Sequence, residues 1–247
     1  MTIISISNHK GGVGKTTTTL NVGAGLSMQG QNVLLIDADP QANLSQSLGL
    51  EDSEKSIYNA LRGEIKLPVV EVVNKLSLVP SNLDLAAVEI ELSSRISRET
   101  ILKKLIGEIK NSFDYIIIDC PPSLGLITIN AFAASDKVFI PLQAEYLAMR
   151  GMDKLIDFIS LVQQNINPDL SLGGVLITQY DGRKVLNRDI LHSVREVFGA
   201  DKVFNTIIRE NVSLAEAPAN NQSIFKYAPK SNGAQDYNCL VSEILKV

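Results

Sequence analysis

Three kinds of side chain in this sequence have the types and spacing to do chemistry: lysines in a glycine-rich turn, hydroxyls just after them, and aspartates that end apolar runs. Residues 8–19 read Asn8-His9-Lys10-Gly11-Gly12-Val13-Gly14-Lys15-Thr16-Thr17-Thr18-Thr19. Such a turn, set between a β-branched run and an apolar-periodic stretch, cradles phosphate, because glycines let successive N–H groups turn inward while a helix N-terminus aims at the same charge. On that reading the backbone of Gly11, Gly12, Val13 and Gly14 wraps phosphate oxygens and Lys15 reaches the β/γ-phosphates. The Thr16 hydroxyl ligates Mg2+, and Thr17 adds a hydroxyl and an N–H. The match to G-x-x-x-x-G-K-[ST] departs at its start, where His9 stands in place of the first glycine and an additional Lys10 precedes a glycine pair. Gly12-x-Gly14-x-x-Thr17 lacks the third glycine of a dinucleotide fingerprint, so a nucleotide phosphate is the expected ligand.

Asp37 and Asp39 follow Val33-Leu34-Leu35-Ile36, and Asp119 follows Tyr115-Ile116-Ile117-Ile118. Acids at strand ends lie where open α/β sheets bind ligands. Phosphoryl transfer to water needs an in-line nucleophile and charge neutralisation, and a carboxylate that positions water suits that need.

The elements that must carry these groups alternate. Strands are expected at Ile3–Ser7, Val33–Asp37, Leu76–Val79, Tyr115–Asp119, Val138–Leu142 and Gly174–Thr178, with helices near 16–29, 84–93, 98–110, 125–134, 147–163 and 187–198. Alternation of this kind predicts an α/β fold, a doubly wound, mostly parallel sheet with helices on both faces, and the near-continuous apolar strands predict burial on both sides. No linker or repeat interrupts the pattern, so residues 1–247 are expected to form a single domain, with 50–75 as a surface excursion.

At 45% hydrophobic and 20% charged the 247-residue chain can bury a core, which excludes disorder. No apolar run approaches the ~18 residues of a membrane span, and the N-terminus lacks a leader pattern, so a cytoplasmic protein is expected. Two cysteines, Cys120 and Cys239, are too few for a disulfide framework or a four-cysteine zinc site. Cys120 reads as a small buried apolar residue, His9 and His192 as a turn and a surface helix residue, and the Leu147–Val162 pattern as a core stripe.

Lys10-Gly11-Gly12-Val13-Gly14-Lys15-Thr16-Thr17 resembles the deviant Walker A loop of the ParA/Soj/MinD ATPases. The likeness continues through Val33–Gln41, Asp114–Ser123 and Leu214-Ala215-Glu216-Ala217-Pro218, and is strongest to the ParA/Soj partition branch. The resemblance implies ATP with Mg2+ and an ATP-sandwiched homodimer. Lys10 would cross to the partner subunit's phosphate, a role like that of an arginine finger supplied in trans. It further implies that Asp39 is the acid tied to hydrolysis, that Asp37 has a structural or metal-shell role, and that Asp119 is the Walker B acid holding a magnesium-bound water. The implied function is a chromosome or plasmid partition ATPase that binds DNA without sequence preference and lets go after hydrolysis stimulated by a ParB-like centromere-binding partner, hence nucleoid-associated. The Ile207-Ile208-Arg209 loop is a candidate for packing the purine.

Net charge is −4, so DNA binding would need a local patch. Residues 182–230 hold eight lysines and arginines against five acids, and Arg183, Lys184, Arg209, Lys226 and Lys230 are the candidate DNA contacts. Glu210 and Ser213 stand where Soj-like relatives carry arginines, which points to weaker attachment or other cations. Chains of this family that read an operator carry a helix-turn-helix before the ATPase strand, so autorepression is not expected. The alternative is a MinD-like membrane-associated division ATPase, which would need a basic amphipathic C-terminal helix. Here Tyr237, Leu240, Val241, Ile244 and Leu245 make one apolar stripe beside acids and a single lysine, so packing on the core is expected and a membrane anchor is not. A nitrogenase iron-protein-like role is weaker still, because neither cysteine is placed to share a cluster.

Overall fold

The computed structural model describes residues 1–51, 53–145 and 151–246. In chain order the elements are β1 (Thr2–Ile6), α1 (Lys15–Met28), β2 (Val33–Asp37), α2 (Asn43–Gln46), α3 (Ile57–Arg62), β3 (Val70–Val73), β4 (Leu76–Val79), α4 (Val88–Glu91) and α5 (Ile101–Gly107). They continue with β5 (Tyr115–Asp119), α6 (Leu126–Ala134), β6 (Lys137–Gln143), α7 (Met152–Asn165), β7 (Ser171–Thr178), α8 (Val185–Phe198), α9 (Val212–Ala219), α10 (Ile224–Tyr227) and α11 (Asn232–Ile244). The strands join one sheet in the order β3-β4-β2-β5-β1-β6-β7. Every neighbouring pair is parallel except β3 with β4.

Alternation along the central strands feeds two cores. Leu34, Ile36, Ile116 and Ile118 point to the side covered by α3, α5, α6 and α7, whereas Val33, Leu35 and Ile117 point to the side covered by α1 and α11. Both faces are therefore dry, which is why these strands read as unbroken apolar runs. Helix α1 lies close to its neighbours because it carries glycines: a Cβ at Gly23 would meet Leu35 Cδ2 at 2.5 Å, and one at Gly25 would meet Val241 Cγ2 at 2.6 Å. The helix that bears the phosphate loop is thus wedged between β2 and α11.

All six expected strands form. The stretch 50–75 differs from its reading as a surface excursion, since it supplies α3 and the antiparallel edge strand β3. Val70-Glu71-Val72-Val73 is short, half-exposed and irregularly paired, so its periodicity is faint. The 84–93 and 98–110 segments each shorten to one-turn or two-turn helices, α4 and α5, preceded by a tight turn. Of the 147–163 helix, α7 covers the C-terminal part, while 146–150 lie outside the described residues. In α11, Tyr237, Leu240, Val241 and Ile244 are buried, whereas Leu245, expected in the same stripe, lies just past the helix and is exposed.

Candidate nucleotide-binding site

Strand register assembles the acids. In the parallel β2–β5 pair Asp37 stands opposite Asp119, and in the β1–β5 pair Ile6 stands opposite Asp119. The turn that leaves β1 therefore begins beside two carboxylates at the same edge of the sheet. Chain order reverses there as well, β2 lying to one side of β1 and β6 to the other, which opens a crevice at the strand ends.

The turn is held by its carbonyls. The Lys10 carbonyl accepts from Lys15 Nζ at 3.2 Å, Gly12 from Gln179 Nε2 at 2.6 Å and Val13 from Thr178 Oγ1 at 2.9 Å. With those oxygens fixed against the protein, the N–H groups of the loop are left for an anion. Gly12 and Gly14 have φ of 74° and 88°, a left-handed conformation that glycine adopts without strain. Gly14 leads directly into α1, which has no capping side chain and no acid in its first turn. Its leading N–H groups are unpaired donors with the positive end of the helix dipole behind them.

Lys15 is 7% exposed. Burial lowers its pKa, an effect opposed by Asp119 and Asp39. Thr16 Oγ1 donates to Asp119 Oδ2 at 2.7 Å, so the hydroxyl and carboxylate expected to share a metal are already in contact. The Thr19 hydroxyl also reaches Asp119 Oδ1 at 3.4 Å and donates to the Lys15 carbonyl at 3.1 Å. Burial, reinforced by Asp37, pushes the Asp119 carboxyl up to about 8. Asp37 is raised to about 6, again by burial first, although Ser45 N and Oγ donate to its Oδ2 at 2.8 and 2.7 Å. Asp37 therefore organises the turn from β2 into α2, with Asp39 N donating to its Oδ1 at 3.2 Å.

Asp39 lines the cleft and is 7% exposed. Its Oδ1 accepts from Gln41 N at 2.9 Å and its carbonyl accepts from Ser81 Oγ at 2.9 Å, so the backbone beneath the carboxylate is anchored. The cleft has a volume of about 850 Å3 and is bordered by Gly11, Lys15, Thr16, Asp39, Pro122 and Gln179 among others. A second recess of about 400 Å3 shares Gly14, Thr17 and Gln179 with it and runs on to Ile208, Asn211 and Tyr237. Phosphate donors and an apolar-walled recess thus lie on the two sides of one loop.

Hard oxygen donors suit Mg2+, which takes one or two carboxylates and leaves its other positions to phosphate and water. Among the described residues no three acidic, histidine or cysteine side chains converge as a self-sufficient metal cage. Thr16 with Asp119 fits that habit, and a divalent cation there would favour the charged form that burial and Asp37 disfavour.

Arg183 and Arg209 border a groove of about 630 Å3, while Lys226 lies on α10 and Lys230 just beyond it. Arg183 is paired with Asp181 at 2.9 Å, Lys184 with Glu210 at 3.6 Å, and Arg209 with Asp236 at 2.6 Å. Hydrogen bonds from Arg183 hold Asp181 down at about 2. Lys226 and Lys230 are exposed and form no ion pair among the described residues. Cys120 is buried and its thiol is pushed up to about 12, as an inert packing residue. The His9 ring packs on the Gly151 backbone, and burial lowers its pKa, followed by the charges of Lys154 and Lys15.

Residues that sequence reasoning passed over are Gln143, Glu145, Thr178 and Gln179, which brace the loop from the ends of β6 and β7. Their one signal was position, just at or beyond strand ends on the ligand side.

Residues 1–172 match a family model described as an AAA domain. Over 247 residues the chain is 46% identical to the sporulation initiation inhibitor protein Soj of Bacillus subtilis, with 98% of this chain and 97% of that protein covered. It is 44% identical over 241 residues to the chromosome-partitioning ATPase Soj of Treponema pallidum, with 96% and 94% covered. The structure of cobyrinic acid a,c-diamide synthase from Mycobacterium smegmatis, with bound ATP analogue and magnesium, is similar at a TM-score of 0.87 and 37% identity, over 100% of this chain and 95% of that one. Identity of this extent along nearly the whole length of both chains, around a phosphate loop flanked by strand-end acids, makes this chain a member of the Soj/ParA family of chromosome-partitioning ATPases.

Proposed function

We propose that the chain works as one ATPase domain that closes into an ATP-sandwiched homodimer, attaches to DNA without sequence preference in that state, and detaches once a ParB-like partner stimulates hydrolysis. ATP and Mg2+ are its cofactors. The N–H groups of Gly11, Gly12, Val13 and Gly14 with Thr17 hold the phosphates, and Lys15 neutralises the β/γ oxygens. Thr16 and Asp119 would hold Mg2+ directly or through its water, Asp37 bracing the same edge. The bound ion supplies charge neutralisation on the phosphates. Asp39 orients the attacking water over the anchored turn. The recess along Ile208 would take the purine, and the Ile207–Arg209 segment is kept in place by the Arg209–Asp236 pair.

The observation that carries the dimer is Lys10. Its main chain belongs to the loop, yet its ammonium is directed out of the cleft to Glu145. One subunit's phosphates are served by Lys15, which leaves the second lysine for a facing subunit. A cation delivered in trans is worth ~10³–10⁵ in rate in phosphoryl transfer. Sedimentation velocity with a non-hydrolysable ATP analogue tests this. Wild type is expected to shift from monomer to dimer, whereas Lys10→Ala binds the analogue and stays monomeric. Normal dimerisation of Lys10→Ala would end the trans role.

For DNA, Lys226 and Lys230 are the cations best able to meet phosphate, since Arg183, Lys184 and Arg209 each face an acid of their own chain. Few contacts per subunit give feeble binding, and pairing two subunits on one duplex raises the effective concentration and ties attachment to ATP. The protein would then be a cytoplasmic, nucleoid-associated one. The apolar face of α11 is packed on α1 and β-sheet residues, and no described helix is long and apolar enough to span a bilayer.

A further inference from the structure

Glu145, two residues beyond β6, is an acceptor built into the rim of the phosphate loop. Its Oε2 accepts from Lys10 Nζ at 2.9 Å and its Oε1 accepts from Gln143 Nε2 at 3.0 Å. Gln143 Oε1 lies 3.5 Å from the same Lys10 ammonium, and Gln143 Nε2 also donates to Gln179 Oε1 at 2.8 Å. Gln179 in turn holds the Gly12 carbonyl at 2.6 Å. One polar chain thus runs from the Lys10 side chain through the ends of β6 and β7 and back into the loop.

The main chain of Lys10 is fixed independently of this. Its N–H donates to Asn8 Oδ1 at 3.0 Å and its carbonyl accepts from Lys15 at 3.2 Å. Only the side chain is free to choose a partner, and within the single subunit the partner is Glu145. The two side chains are 34% and 52% exposed, so the pair sits in solvent reach and is weak enough to exchange. If Lys10 left, Glu145 would remain tethered by Gln143, with an unpaired negative charge at the mouth of the site.

We propose that Glu145 is a positioning residue that holds Lys10 in cis in the single subunit, so that the Lys10–Glu145 pair must open before two ATP-loaded subunits close. This rests on the sandwich reading above and adds its cost term: Glu145 competes with the facing phosphate for one ammonium. Glu145→Gln removes the competing charge and keeps an amide oxygen able to accept from Gln143 Nε2.

Two measurements on E145Q test it. In the first, the nucleotide-free monomers are labelled with an amine-reactive ester and the Lys10 peptide is followed by mass spectrometry. Lys10 is expected to react about two- to fivefold faster in E145Q than in wild type, the range set by an exposed ion pair, while Lys226 and Lys230 react alike in both. In the second, the dimer dissociation constant is measured by sedimentation with a non-hydrolysable ATP analogue. It should fall by about two- to fivefold in E145Q, and E145Q should not restore a dimer to K10A, since the carboxylate acts only through the Lys10 ammonium. Equal labelling overturns the proposal, as does an unchanged or weakened E145Q dimer. If wild type failed to dimerise at all, the sandwich reading would fall, and the labelling rates would still decide whether Glu145 holds Lys10.

Discussion

Lys15→Ala is expected to bind ATP at least about thirtyfold more weakly than wild type by isothermal titration. Truncating one member of a desolvated charge pair costs about 2–5 kcal/mol, and Lys15 is the buried cation at the phosphate end of the cleft. The fold should survive. Burial lowers the Lys15 pKa, so its charge is held at a cost in the fold, and its ammonium donates to the Lys10 carbonyl. The melting temperature of the apo variant is therefore expected to match or exceed that of wild type. Unchanged ATP affinity would remove Lys15 from the site.

Asp39→Ala should separate binding from turnover. Positioning a nucleophilic water is worth ~10²–10⁴ in rate, so ATP hydrolysis is expected to fall by that range while ATP affinity stays within about threefold. Asp39 Oδ1 accepts from Gln41 N, and the carboxylate borders the cleft with no hydrogen bond from Lys15 or Thr16 among the described residues. Loss of hydrolysis should trap the ATP-bound dimer, visible as a persistent fast-sedimenting species with ATP itself. Wild-type turnover in Asp39→Ala would refute the assignment.

The phosphate loop and the acids were legible in the sequence because each is local. Gly12, Gly14, Lys15 and Thr16 lie within five residues, and Asp37 and Asp119 end apolar runs whose parallel pairing puts them side by side. What lay hidden depends on residues distant in the chain. Lys10 meets Glu145 across 135 positions, Gln179 meets Gly12 across 167, and Thr18 meets Tyr237 across 219. No periodicity carries such contacts. The pairing of Arg209 with Asp236 belongs to the same class, and it changes the charge count of the DNA candidates, since a formal excess of cations in 182–230 is partly neutralised by acids of other elements. Edge strand β3 and the short helices α2, α3 and α10 escaped for another reason: four to six residues hold too little period to register.

The central claim is that ATP binding at this loop switches DNA attachment on. The most direct test is cosedimentation of the wild-type chain with double-stranded DNA and, in parallel, with anionic vesicles, with and without ATP. The account predicts retention on DNA only with ATP, independent of DNA sequence and weakening with salt at a log–log slope of about −0.9 per neutralised phosphate, and no retention on vesicles. ATP-dependent retention on vesicles without DNA binding at low salt would contradict it.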